Sequence, residues 1–357
     1  MSGNQIIANH SVVEKYKDIP YKYIENVKKM WINIPGESHS LGYGIGCRLL
    51  QMIDGRFEVK LIESGTPEGP TNQYLRINRA TWGDKTNTAG WIYGYGEEDF
   101  FTNDTAVQRT KAHLAHCEAQ GLHINVFGFG WCWDMTWINK PGGTMDPVYE
   151  THWAGSSVGG PEGNLRWGLD KNDQTLTGNS VCMDTYLNAV VEYMKFCKEN
   201  GYNCKAIFTT GPVDTYKGES GYQREIKHKY IRDFVSQSLD RILFDYADIL
   251  CWSDSGQENL ISWHGQQYTQ IHPDNMKDLD LPWQARQAFY SKPHSIPFRR
   301  YLAHPMEIPW KSAFRVLSNS PYIEDGDHIG TRGALRLGKA IWWMLARISG
   351  WDGVSAD

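Results

Sequence analysis

The 357-residue sequence has no apolar run long enough to cross a membrane as a helix, so an integral helical membrane protein is not expected. It also lacks a basic excess. Its 36 Lys and Arg stand against 41 Asp and Glu, a net charge of −5. A general nucleic-acid binder carries a basic face, and that class is set aside. Among the seven cysteines (Cys47, Cys117, Cys132, Cys182, Cys197, Cys204 and Cys251) there is no Cys-x-x-Cys, and no Cys/His cluster has zinc spacing. A chain this long buries enough core to need no metal or disulfide staple. Cys197 and Cys204 are candidates for a pair that spacing alone does not decide. The first twenty residues lack the basic start and apolar run of a signal peptide. The expectation is either a protein that stays inside the cell or one whose leader has been removed. Gly42, Gly44 and Gly46 lack the spacing of a nucleotide-binding loop and no Lys-Ser/Thr pair follows them; they are read as allowing close packing of a helix.

What is abundant is aromatic: 15 Trp and 19 Tyr. That excess suits a sugar-stacking surface, although a Trp-rich core with a few rings at its rim is the commoner arrangement. Strand-like and helix-like segments alternate, which predicts an α/β fold with a mostly parallel sheet. Residues 29–34 read as a buried first strand stopped by Pro35-Gly36. A second strand fits either 57–62 or 75–78, a third 123–127, a fourth 205–210 and a fifth 242–246. Helices are expected over 105–119, from a cap at Asn179 or Ser180 to Gly201, around Ile226–Val235, and from about Ala334 to a stop at Gly350. Residues 139–178 and 252–322 do not fit the alternation and read as long connections, which in compact domains are often lids or binding walls. The expected organisation is an arm at 1–26, one domain at 27–350 and a tail at 351–357.

In open parallel sheets, ligands sit beyond the carboxyl ends of the strands. The first strand ends in Gly36-Glu37-Ser38-His39-Ser40. A serine at a strand-to-helix turn exposes its hydroxyl, and its own N–H at a helix start can donate to an oxyanion. The competing assignment is a simple helix cap by Ser38 or Ser40. A nucleophilic serine needs a histidine held by a carboxylate. Of twelve histidines, His328 has an Asp three residues before it, in Asp325-Gly326-Asp327-His328, just ahead of the last amphipathic helix. Glu225 before His228 imitates the spacing but falls inside a predicted helix, as a surface contact. His272-Pro273-Asp274-Asn275 reads as a turn rather than a metal site.

These segments resemble the first and last blocks of the SGNH (GDSL-like) hydrolases. Asn78-Arg79-Ala80-Thr81-Trp82-Gly83 resembles the second block. The likeness extends over roughly residues 27 to 350. The third block departs: the family's Gly-x-Asn-Asp is replaced by Gly128-Phe129-Gly130-Trp131-Cys132-Trp133-Asp134, without the Asn that completes the family's oxyanion hole. Glu37 also replaces the family's Asp. The resemblance implies a three-layer α/β/α sandwich, flavodoxin-like, with a mostly parallel five-stranded sheet and long loop insertions. It implies a Ser38–His328–Asp325 triad, with Asp327 the rival to Asp325, and an oxyanion hole from the backbone of Ser38 and Gly83, completed either by a backbone N–H of the aromatic turn at Trp131 or by an Asn from elsewhere. No metal or organic cofactor is called for.

Trp131, Trp133 and Trp137, with Asp134, follow the third strand and are candidates for substrate contact. Trp153, Trp252, Trp263, Trp283 and Trp310 lie in the long connections. The expected partner is an acylated carbohydrate or another small ester, and the expected activity is removal of O-acetyl groups. Arg286, Lys292, Arg299, Arg300, Lys311 and Arg315 suit either an acidic polysaccharide or a solvated loop. The alternatives are a lipolytic or thioester-cleaving hydrolase, or a non-catalytic carbohydrate-binding protein on the same scaffold.

Overall fold

Parallel strands separated by helices make up the protein, seen in a computed structural model. The structure describes residues 5–36, 39–131, 167–171, 181–213, 218–279 and 329–354, and the backbone alone of 140–145 and 152–154. In chain order the strands that build the main sheets are β1 (Ile7–Ala8), β2 (Trp31–Asn33), β3 (Val59–Ile62), β4 (Leu75–Asn78), and, after the hairpin of β5 (Ala80–Trp82) with β6 (Trp91–Tyr93), β7 (Val126–Phe127). An antiparallel pair, β8 (Lys140–Met145) and β9 (His152–Ala154), precedes β10 (Lys205–Ala206), β11 (Phe208–Thr209) and β12 (Leu243–Phe244). A second hairpin joins β13 (Leu260–Trp263) to β14 (Gln266–Thr269).

The five-stranded sheet runs β10-β7-β2-β4-β3, every pairing parallel, and a three-stranded parallel sheet runs β1-β12-β11. Ile207 links the two. Its N–H donates to Phe127 O at 2.8 Å, and the next N–H, of Phe208, turns the other way to Ile242 O at 2.9 Å. One chain segment therefore serves both sheets. Both segments offered for the second strand are strands. From β2 the chain goes to β4 and β3 on one side and to β7 on the other, so the order reverses at β2. In open parallel sheets, ligands bind at the carboxyl ends of the strands flanking such a reversal.

Successive strand residues feed two separate cores. Ile32, Val126, Ile207 and Phe244 belong to one, while Trp31, Phe127, Phe208 and Leu243 belong to the other. This is the period of two expected of strands buried on both faces. Helices α1 (Tyr21–Lys28), α2 (Ser40–Ile53), α7 (Tyr246–Cys251) and α8 (Thr331–Ile348) fill the first core. Helices α3 (Glu97–Phe100), α4 (Asp104–Ala119), α5 (Met183–Glu199) and α6 (Glu219–Ser236) face the second. The start of α5 is capped at Cys182 rather than at Asn179 or Ser180.

Residues 5–26, within the segment expected to be an arm, pack on the domain instead. Ile7–Ala8 extends the sheet beside β12, and the 3-10 helix His10–Asp18 buries Val12, Val13 and Tyr16. A two-residue strand leaves no periodicity to read, which is why the sequence pattern passes over it. Trp351, placed in the tail, is buried as well. The described cysteines are free and buried, Cys197 and Cys204 included. No described helix is long and apolar enough to cross a membrane. Six of the described tryptophans (Trp31, Trp131, Trp167, Trp342, Trp343 and Trp351) are core residues, so much of the aromatic excess is structural.

Candidate active site

At the reversal point, where a crevice is expected, glycines bring two turns into close contact. Gly36, three residues past β2, has φ +152, and a Cβ there would lie 2.0 Å from Gly130 O. A Cβ on Gly130 would in turn lie 2.3 Å from Ser40 Cβ. The Gly130 N–H donates to Pro35 O at 2.9 Å. The turns after β2 and β7 thus run backbone against backbone, as only glycine permits. The first and third motif segments of the sequence meet here.

Helix α2 starts immediately beyond. His39 takes its N-cap position, without a side-chain cap bond, and Ser40 is the first helical residue. Ser40 is buried and does not act as the cap. Gly46 of α2 meets α8 at its narrowest point: a Cβ on Gly46 would lie 1.9 Å from Ala334 O, and one on Gly338 2.2 Å from Gly46 O. Toward the start of both helices, a Cβ on Gly42 would lie 3.0 Å from Cδ1 of Ile329 and 3.3 Å from the hydroxyl of Tyr246. The entry to α8 is fixed by the 3-10 turn Pro273–Met276 and the residues after it. Gly330 N–H donates to Asn275 O at 2.8 Å, Arg332 N–H to Lys277 O at 3.1 Å, and the Thr331 hydroxyl to Asp278 Oδ1 at 3.0 Å. His272 to Asn275 is the turn expected of it, with His272 Nδ1 accepting from the Asp274 N–H. Among the described residues no group of three His, Cys, Asp or Glu is arranged to hold a metal ion.

Beside Gly36 lies an ion pair that the sequence gives no reason to single out. Arg79, just past β4, donates through Nε to Glu63 Oε2 at 2.8 Å and through Nη1 to Gly36 O at 3.3 Å. Burial holds the Glu63 carboxyl above its ordinary range against the opposing pull of Arg79. The pair joins the ends of β3 and β4 to the end of β2.

Behind the crevice, Asn33 and His113 form a buried node. Asn33 Nδ2 donates to Asn78 Oδ1 at 2.9 Å and to Ala80 O at 2.8 Å, and its Oδ1 meets His113 Nε2 at 3.1 Å. His113 Nδ1 accepts from the Trp82 N–H at 2.9 Å, so the proton sits on Nε2. Burial pushes the His113 pKa down to about 3, and the ring is neutral.

Of the residues expected to do chemistry, Ser38, Asp325 and His328 lie outside the described residues, as do Trp133, Asp134 and Trp137. Gly83 and Trp131 lie within them. Gly83 has φ +75, and its N–H donates to Gly90 O at 2.9 Å inside the β5–β6 hairpin. That amide is already engaged and is not offered to an oxyanion in this arrangement. The Trp131 indole is enclosed by Phe101, Phe129, Trp167 and Tyr186, and its Nε1 donates to Thr209 O at 3.0 Å. It is a pillar between the β7 turn and β11, with no ring face turned to a ligand. Glu225 and His228 are not a surface pair: His228 is fully buried, and Glu225 instead pairs with Arg232 at 2.8 Å.

No family model matches the chain, and neither the curated proteins nor the solved structures give a match.

Proposed function

We propose that the chain is a serine esterase of the SGNH type, built as a three-layer α/β/α sandwich, that removes O-acetyl groups from a carbohydrate. The observation that carries this reading is the seam between α2 and α8. Ile329 directly follows His328, and it packs at Gly42, four residues after Ser38. Each Cα step is 3.8 Å, so a meeting of Ser38 with His328 asks only for a short reach from this contact, which supports the reading. The cores on both faces of a parallel sheet, and the reversal of strand order at β2, support the same reading.

In this mechanism His328 takes the proton of Ser38, and the hydroxyl oxygen attacks the ester carbonyl. Asp325 orients the imidazole and stabilises its cationic form. The tetrahedral oxyanion is met by the Ser38 N–H near the start of α2, where the helix dipole also favours negative charge. His328 then gives its proton to the leaving sugar hydroxyl, and water releases acetate by the same path in reverse. With Gly83 engaged, the second oxyanion donor comes from another group at the crevice.

A fluorophosphonate probe tests the nucleophile. Labelling of the wild type that disappears in Ser38→Ala is expected, together with acetate release from acetylated xylan or pectin. An unlabelled wild type, or equal labelling of Ser38→Ala, defeats the esterase. A preference for long acyl chains defeats the acetyl assignment alone.

A further inference from the structure

The ion pair of Arg79 and Glu63 sits where three neighbouring strands end. Glu63 follows β3, Arg79 follows β4, and Gly36 lies three residues past β2, the strand at which the order reverses. Arg79 belongs to the middle one of the three. Its Nε donates to Glu63 on one side and its Nη1 to Gly36 O on the other, so one guanidinium spans all three chain ends.

The backbone around Arg79 is itself fixed. Asn78 O accepts from the Ile34 N–H at 3.0 Å, and Ala80 O accepts from Asn33 Nδ2 at 2.8 Å. Both neighbours of Arg79 are thereby tied to β2 and the residue after it. The two side chains of the pair are largely shielded from water, Arg79 at 12% exposure and Glu63 at 4%. A pair shielded to this degree stays closed, because parting it leaves a buried charge unmet.

A second pair shows what is particular to Arg79. Lys28, similarly shielded, meets Glu25 at 3.0 Å and Glu58 at 2.8 Å. Lys28 ends α1 ahead of β2, and Glu58 directly precedes β3, so this pair clips the amino edge of the same sheet. Both partners of Lys28 are carboxylates. The second partner of Arg79 is instead a backbone carbonyl in the turn that leads to Ser38. That turn is already pressed against Gly130, whose N–H donates to Pro35 O at 2.9 Å. Gly130 holds it from the β7 side and Arg79 from the β4 side. Two residues beyond Ser38, Ser40 is buried as the first residue of α2. The chain is therefore anchored within two residues of Ser38 in both directions.

We infer that Arg79 is a positioning residue, fixing the backbone turn from which Ser38 attacks. This rests on the serine-esterase reading. A reacting group displaced by about 1 Å can lose about a hundred-fold in rate. The experiment is fluorophosphonate labelling followed in time at several probe concentrations, with hydrogen exchange of residues 34–42 measured in parallel. Arg79→Met should lower the maximal labelling rate about ten- to a hundred-fold and leave the half-saturating probe concentration unchanged. Exchange in residues 34–42 should quicken in the same variant. Arg79→Lys keeps the charge but offers one nitrogen in place of a planar fork, so its rate should fall between the two. It carries the test alone should Arg79→Met not fold. Lys28→Met breaks the pair at the amino edge and should label like the wild type. Labelling of either Arg79 variant at the wild-type rate overturns the assignment, as does unchanged exchange. An equal loss in Lys28→Met also overturns it, reducing Arg79 to a contributor to stability. If the wild type itself is not labelled, the esterase reading falls and this one with it; failure of the positioning role alone leaves a labelled wild type.

Discussion

Asn33 is one side chain with three jobs. It joins β2 to β4, fixes the carbonyl of Ala80 where the β5–β6 hairpin leaves the sheet, and accepts from His113 on α4. Asn33→Ala removes the donor for two oxygens and the acceptor for a ring N–H, all buried. Unmet groups of that kind cost about 1–3 kcal/mol each when nothing replaces them. A loss of about 2–4 kcal/mol is expected in urea unfolding, and a change below 1 kcal/mol would remove Asn33 from this role. His113 adds a pH dependence whose sign follows from its environment. Its folded-state pKa, about 3, lies below the value of 6.5 for an unperturbed histidine. Above pH 6.5 the ring is neutral in both states and costs nothing. As pH falls from 6.5 toward 3, the unfolded chain binds a proton that the folded protein refuses, so stability declines. The slope from this one group reaches about 1.4 kcal/mol per pH unit. His113→Gln, measured from pH 7 to pH 4, should lose stability more gradually than the wild type; an identical slope would mean the ring titrates freely when folded.

At the scale of elements, the narrow contact of α2 with α8 holds Gly42 beside Ile329. A methyl group at position 338 has no space, because what it meets is the backbone of Gly46, which cannot rotate away. Gly338→Ala should force the helices apart, at a cost of about 1–3 kcal/mol for overpacking. The separation should also move the chain at Ile329 away from Gly42, and fluorophosphonate labelling should fall with it. Normal labelling in a destabilised Gly338→Ala would show that the triad does not depend on this seam. Much of this element was legible in advance. The glycines at 42, 44 and 46 marked close packing, and the stripe from Ala334 to Ile348 marked a helix with one buried side. The partner was not legible, since helical periodicity identifies a buried face without saying what covers it. His228 was misjudged for the same reason: a charged spacing inside a helix looks solvated until the helix is seen to turn that side inward. The engaged amide of Gly83 was hidden too, because its partner Gly90 depends on how the β5–β6 hairpin registers, which residue spacing does not reveal.

The whole molecule depends on a segment that looks dispensable in sequence. Strand β1 covers the outer edge of β12, and Gln5 ahead of it donates to the carbonyl oxygens of Val235 at 2.7 Å and Ser238 at 2.8 Å. The 3-10 helix that follows packs at α8, where Lys339 pairs with Glu14 at 2.5 Å, and His10 meets Asp248 at 2.6 Å while stacking on Trp252. Removing residues 1–19 therefore takes away more than an edge strand. It bares the hydrogen-bonding edge of β12 and uncovers apolar surface on the last helix, which carries one flank of the proposed site. An uncovered parallel strand is a template for association with other chains. The shortened protein should unfold at a markedly lower urea concentration and form concentration-dependent aggregates in light scattering. The single change Gln5→Ala should cost about 1–3 kcal/mol with no aggregation. Unchanged stability and a monodisperse shortened chain would return residues 1–26 to the status of an arm. The sheet would then be complete at β12, and the contacts of β1 would be incidental to the fold.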